Sequence, residues 1–330
     1  MKSLRFNAGA TLRTLSVLAA ASTFSLSSHA LLIVATYDAN VSAGAQAAFQ
    51  FAINEFEAAF TDAVTVNVNV NFGNTGLAGS STALQFVVPD TYAQVRTALI
   101  VDQTAHSSAS GATSVGAGGS VNTATDPTAG GRFLYTRAQA KALGALPANL
   151  PGSDGTITFS NVQSFTLDPN NRGSGGFDFI GVAEHEISEV MGRIPGLGGN
   201  FCGSPSCGPD YLVYDLFRFS GAGTRVLSDA AGVSFSIDNG STLLHGFNFA
   251  NGNGSDPQDW DASDPTDPFN AFTGPNQAHS LNAVDYDTLD VIGWDRAGQV
   301  TSVPEPASLG LVFLSLFGMS AATRRACKRS

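Results

Sequence analysis

The 330-residue chain carries a formal charge of −11, but residues 31–303 hold nine Lys and Arg against 26 Asp and Glu, a balance near −17. An exterior that acidic argues against nucleic acid and anionic membrane surfaces as partners and favours solubility and divalent cations. That central part is long enough for one large domain or two small ones.

The first thirty residues place Lys2, Arg5 and Arg13 before an apolar run from Leu15 to Leu26 and a Ser28-His29-Ala30 exit. Charged start, short apolar centre and small-x-small exit predict a signal peptide (residues 1–30), removed by signal peptidase. Leu31–Tyr37 then reads as a buried strand, and Ala45–Phe60 as an amphipathic helix carrying Phe49, Phe51, Ala52, Phe56 and Phe60 at helical spacing. Val64–Phe72 alternates strictly and is the clearest strand. Helices are expected over Tyr92–Val101 and Thr136–Leu146, separated by a Ser-, Gly-, Ala- and Thr-rich stretch from Ser107 to Gly131 that cannot support a core. Ile157–Ser160 is the candidate for a sheet edge that could align a peptide by strand addition. Asp168–Gly173 is not a calcium loop, because Arg172 occupies a ligand position and Phe179 stands where the closing Glu belongs.

Gly181–Arg193 carries the chemistry. Ile180, Val182, Ile187, Val190, Met191 and Ile194 mark a helix with no breaker before Pro195. It contains His185-Glu186-x-x-Glu189, one residue away from the His-Glu-x-x-His helix of zinc peptidases. Residues four apart share a helix face, so His185 and Glu189 project together, and Glu186 is turned roughly 100° from His185, within reach of a water on a metal. Imidazole and carboxylate are both competent zinc ligands, and a catalytic site needs three protein ligands with one open position. The third is open between Asp215, which begins a predicted strand, then Asp259 beside Trp260, then His245. Two carboxylates and one imidazole nearly neutralise a divalent ion, weakening its pull on water and making manganese competitive with zinc.

Beyond the helix, Cys202 and Cys207 frame a four-residue loop, and an even pair in an exported protein reads as a local disulfide. Strands are predicted over Tyr211–Phe219 and Gly232–Asp238, and a final helix over Ala283–Ile292. The Asn251–Ser280 segment between them is a loop in which Asp256, Asp259, Asp261, Asp264 and Asp267 crowd, with structural calcium as an alternative to ordinary solvation. Pro304-Glu305-Pro306 precedes an apolar segment, residues 307–322, and a basic tail. That segment is slightly short of the roughly 20 residues of a usual bilayer span, and the basic tail places its end in the cytoplasm.

Two resemblances follow from these residues. The stretch Phe177–Gly192 resembles the active-site helix of matrixin-type metzincins. It is more similar still to bacterial metalloprotease-like proteins with a C-terminal sorting tail that carry HEISEVMGR, with further similarity over Asp215–Ser220, Phe235–Leu244, Asp259-Trp260 and Leu289–Trp294. The resemblance implies an α+β fold: a zincin-like mixed sheet with its active-site helix over residues 31–197, and a smaller strand- and loop-rich part over 198–302. It implies an exported zinc peptidase acting on peptides or proteins, with His185 and Glu189 as ligands and Glu186 as general base. Pro195 stands where a metzincin has its third histidine, and Met1, Met191 and Met319 leave no methionine for the turn beneath the metal. A non-catalytic surface or matrix-associated protein with a degenerate metal site is therefore the competing reading, and a calcium-dependent binding module on the acidic loop a third. The three-part ending, residues 303–330, resembles the PEP-CTERM sorting signal. It implies transient membrane anchoring and processing by an exosortase-type enzyme.

Overall fold

A computed structural model describes residues 31–83, 90–107, 118–121, 123–201, 208–252 and 254–297. The signal-peptide segment, Cys202, Cys207 and the Pro304-Glu305-Pro306 tail with its apolar segment lie outside these residues.

The fold is α+β. In its first part β1 (Leu32–Tyr37), α1 (Ala43–Ala59), β2 (Thr65–Gly73) and β3 (Gly79–Ala83) are followed by α2 (Tyr92–Ser107) and the single turn α3 (Gly118–Val121). Then come β4 (Arg132–Leu134), α4 (Arg137–Ala142), β5 (Gly155–Ser160), β6 (Phe165–Thr166), β7 (Phe177–Asp178) and α5 (Phe179–Val190). The main sheet has the order β1-β2-β5-β3, with β1, β2 and β5 parallel and β3 antiparallel at the edge.

Alternation decides which face of that sheet is buried. Val66, Val68 and Val70 of β2 point inward with Ile33, Ile157 and Phe159, while Asn67, Asn69 and Asn71 take the other face. Onto the apolar face pack α1, through Phe49, Ala52, Ile53 and Phe56, and α5, through Phe179, Ala183, Ile187 and Val190. Phe159 is the hub, its ring lying 4.2 Å from that of Phe179 and about 6 Å from those of Phe49, Phe72 and Phe165.

The sheet edge differs from the sequence expectation. Ile157 pairs with Val70 on one side and Ser81 on the other, so Ile157–Ser160 is an inner strand. The edge is Gly79-Ser-Ser-Thr-Ala83, whose small polar residues carry no apolar alternation to reveal it.

The second part is built of short pieces. Its elements are β8 (Asp210–Leu212), a 3-10 turn (Val213–Phe217), β9 (Arg218–Gly221), β10 (Thr224–Arg225), β11 (Ser234–Phe235), β12 (His245–Gly246) and α6 (Ala283–Val291). The strand expected over Tyr211–Phe219 is broken because Asp215 captures the Leu212 N–H at 2.9 Å and turns the chain. That over Gly232–Asp238 is reduced to Ser234–Phe235. The chain from Gly254 to Asn282 forms no helix or strand. Successive Asx turns hold it instead: Asp261, Asp264 and Asp267 each accept the backbone N–H two residues on, from Ser263, Thr266 and Phe269. One core runs through both parts, with Trp260, Phe269 and Trp294 in the same cluster as Val66 and Phe49.

Candidate metal centre and cleft

Helix α5 begins where the Asp178 carboxylate accepts the Ile180 N–H at 3.2 Å. It ends at Val190, earlier than Pro195 alone implied, because Gly192 adopts φ +118°. A side chain is excluded there, since a Cβ would lie 2.9 Å from Gln139. All but one of the residues of α5 are buried, and His185 is the exception. Its three acidic residues are therefore not a solvated face.

His185 Nε2 lies 3.5 Å from Glu189 Oε1 and 3.3 Å from Asp259 Oδ1. Among the described residues, these three form the group whose ligand atoms converge, all within 4.8 Å of one another. His185 Nδ1–H donates to the Pro268 carbonyl at 2.8 Å, which fixes the ring and directs Nε2 at the two carboxylates. Glu189 is held at both oxygens, by Ser81 Oγ of the edge strand at 2.7 Å and by Gln258 Nε2 at 2.7 Å.

The charges follow from this geometry. Burial disfavours the His185 imidazolium, but the Asp259 and Glu189 carboxylates outweigh it and push the group up to about 10. Burial alone would raise Glu189; hydrogen bonding and charge from His185, with Arg193 and Gln258, hold it at about 2. Asp259 is raised to about 6 by burial, against the pull of His185 and Arg193. Glu186 is raised well above the carboxylate range by burial and by the charge of Glu189. The space between His185, Glu189 and Asp259 is thus one that attracts positive charge.

The donor set fits a divalent ion: one imidazole nitrogen, oriented from behind and neutral once an ion takes the place of its proton, and two carboxylates. Glu186 adds a second indication. It faces the same cavity, and its Oε2 is buried with no hydrogen-bond partner among the described residues. Buried polar atoms are nearly always bonded, so an atom left over beside a cleft is one that water or substrate can use.

The cavity encloses about 330 Å³ and runs along Gly76–Ser81, the approach to β3 and its first residues, across His185, Glu186 and Glu189, to a far wall at Pro268 and Asn270–Thr273. β3 comes so close to the helix that a Cβ on Gly79 would lie 2.6 Å from Glu186 Oε1 and 2.7 Å from Val182 Cγ1.

Two sequence-derived ligand candidates are placed elsewhere. Asp215 is fully buried, and its Oδ2 accepts three backbone N–H groups, from Gly196 at 2.8 Å, Leu197 at 3.1 Å and Leu212 at 2.9 Å. It clamps the loop after α5 rather than facing the cleft, and Asp259 stands where Asp215 was expected. His245 stacks on Trp260, with centroids 4.8 Å apart and planes 19° from parallel. The carboxylates of Asp261, Asp264 and Asp267 are engaged by donors of their own loop. Sequence reading passed over Ser81, Gln258, Arg193 and the Pro268 carbonyl. Only Arg193 had a signal, as the last residue of HEISEVMGR. The ring of Phe269 stands edge-on to His185 at 6.3 Å.

Comparison with known proteins bears on the C-terminus. Residues 302–326 match the PEP-CTERM protein-sorting motif. The motif marks an exported protein with a C-terminal sorting signal and implies recognition by an exosortase-type processing enzyme. The match covers that signal and not the folded body. No curated protein and no solved structure matches the chain. Among the described residues, no helix is long and apolar enough to cross a membrane.

Proposed function

We propose that this PEP-CTERM protein is an exported, zincin-like metallopeptidase that holds zinc or another divalent ion through His185, Glu189 and Asp259. The observation that carries the reading is the convergence of these three ligand atoms within 4.8 Å, in a cleft that also contains Glu186. A divalent ion bound there would polarise a peptide carbonyl and acidify water. With two oxygen donors, manganese competes better than at a site of three imidazoles.

The protein's own residues supply the rest. Glu186, in the same cavity, takes the proton of the attacking water and returns it to the leaving amine. Its raised proton affinity suits that exchange. Among the described residues strand β3 pairs with one strand, β5, and it lines the cleft, so a substrate backbone can add to its other edge. Ser81 and Gln258 hold Glu189 in place, one at each carboxylate oxygen.

Elemental analysis of the purified protein, beside Glu186→Gln, tests this. One ion per chain, with chelator-sensitive peptide cleavage lost in the variant, is expected. A wild-type protein without stoichiometric metal refutes it.

One observation favours the non-catalytic alternative. Asp259 is already paired with Arg193 at 3.3 Å, and His185 lies between two carboxylates, so the cluster is electrically satisfied without an ion. Stoichiometric metal without cleavage of any peptide library would support that reading.

A further inference from the structure

Asp259 sits in a segment with no regular secondary structure, and something must bring its carboxylate to helix α5. Arg193 does so. Its side chain is fully buried immediately after the left-handed turn at Gly192. Nε donates to Ser188 Oγ at 2.8 Å, and Ser188 Oγ donates in turn to the His185 carbonyl at 2.6 Å. NH1 donates to the Gln258 carbonyl at 3.2 Å and to Asp259 Oδ1 at 3.3 Å. The guanidinium lies 4.0 Å over the ring of Phe269, the same ring that stands edge-on to His185. NH2, with no hydrogen-bond partner among the described residues, lies 4.0 Å from Glu189 Oε1.

We propose that Arg193 is the positioning residue of the metal centre: it fixes Asp259 as the third ligand and compensates the second carboxylate of the ligand set. This rests on the reading of His185, Glu189 and Asp259 as a metal site.

Two arguments support it. The first is geometric. One planar fork with five donors can reach a helix hydroxyl, a loop carbonyl and a carboxylate while lying flat on an aromatic ring; an ammonium has the charge but not the geometry. The second is electrostatic. One imidazole and two carboxylates cancel the charge of a divalent ion. Arg193, in contact with one carboxylate and 4.0 Å from the other, returns the assembly to a net charge of about +1, the value for two imidazoles and one carboxylate. A buried cation needs nearby anions to be tolerated at all, and here those anions are two of the three ligands.

The test uses the full-length protein, with Arg193→Met, Arg193→Lys and Asp259→Asn beside wild type. Three quantities are read: zinc affinity by chelator competition, the visible spectrum of the cobalt-substituted protein, and melting in chelator. Loss of a partner that orients a ligand lowers metal affinity by about 10–100-fold. Arg193→Met should fall in that range, and its cobalt spectrum should move toward that of Asp259→Asn. Arg193→Lys should recover part of the affinity. Should Arg193→Met not fold, Arg193→Lys is compared alone, with a smaller loss and the same spectral direction expected.

A purely structural role would lower the melting temperature and leave the affinity and spectrum of the folded protein at wild-type values, which overturns the proposal. Wild type binding neither zinc nor manganese refutes the peptidase reading and this inference together. Wild type binding zinc, with both Arg193 variants unchanged, refutes this inference alone.

Discussion

Asp215→Asn separates a clamp from a ligand. Asp215 is fully buried; burial raises its carboxyl to about 6, although the Leu212 and Gly196 N–H groups, Arg218 and the Leu197 N–H pull the other way. An ordinary Asp titrates near 3.9 in an unfolded chain, so the folded state binds its proton about 2 pKa units more tightly, worth about 3 kcal/mol. A raised folded pKa contributes stability that is fully present below about 4 and is lost as pH rises through about 6. In the variant this titration is gone. Its amide oxygen can still accept the three N–H groups, while its NH2 takes the place of Oδ1, which has no partner. The stranded amide adds a pH-independent cost of about 1–3 kcal/mol. Urea unfolding of both proteins between pH 4 and pH 8 is the assay. The wild-type advantage should shrink by about 2.4 kcal/mol over that range, nearly all of it by pH 7, while metal content stays at the wild-type level. A difference independent of pH would refute the linkage, and loss of metal would return Asp215 to the ligand set.

Gly79→Ala places a Cβ 2.6 Å from Glu186 Oε1, so either β3 or Glu186 must shift. Cleavage should fall by 10-fold or more with zinc content unchanged, read by steady-state kinetics and elemental analysis. Ser81→Ala removes the 2.7 Å hydrogen bond to Glu189 Oε2 and should weaken zinc binding by about 10-fold in chelator competition. Phe159→Ala empties the centre of the aromatic cluster between sheet and helices. It should cost about 3–5 kcal/mol by urea denaturation, with metal lost only as the protein unfolds.

What could be read in the chain follows from the range of each interaction. Local periodicity made α1 and β2 legible, because burial of one face imposes a repeat of 3.6 or two on the residues themselves, and a short apolar run marked β1. The same argument placed His185, Glu186 and Glu189 on one helix. β3 was missed since Gly79-Ser-Ser-Thr-Ala83 has no apolar alternation, and at Gly79 the approach of helix α5 leaves no room for a side chain. Asp215 misled for a related reason. An Asp at the start of an apolar run looks poised to project outward, yet its carboxylate is used by the N–H groups of its own turn and of the Gly196-Leu197 loop.

By itself the sequence determined an α+β chain with a C-terminal sorting signal and a helix carrying His185 and Glu189 four residues apart on one face, with Glu186 turned from them. Those properties are local, held within a few turns or a short motif. Only the tertiary structure brings Asp259, and not Asp215 or His245, beside His185 and Glu189, because different partners claim the three side chains. Asp215 is held by backbone N–H groups and His245 lies against Trp260. Asp259 is drawn by Arg193 across 66 residues of sequence to the face where His185 waits. A contact of that range leaves no period or spacing in the chain, and it appears only once the loop is folded onto the helix.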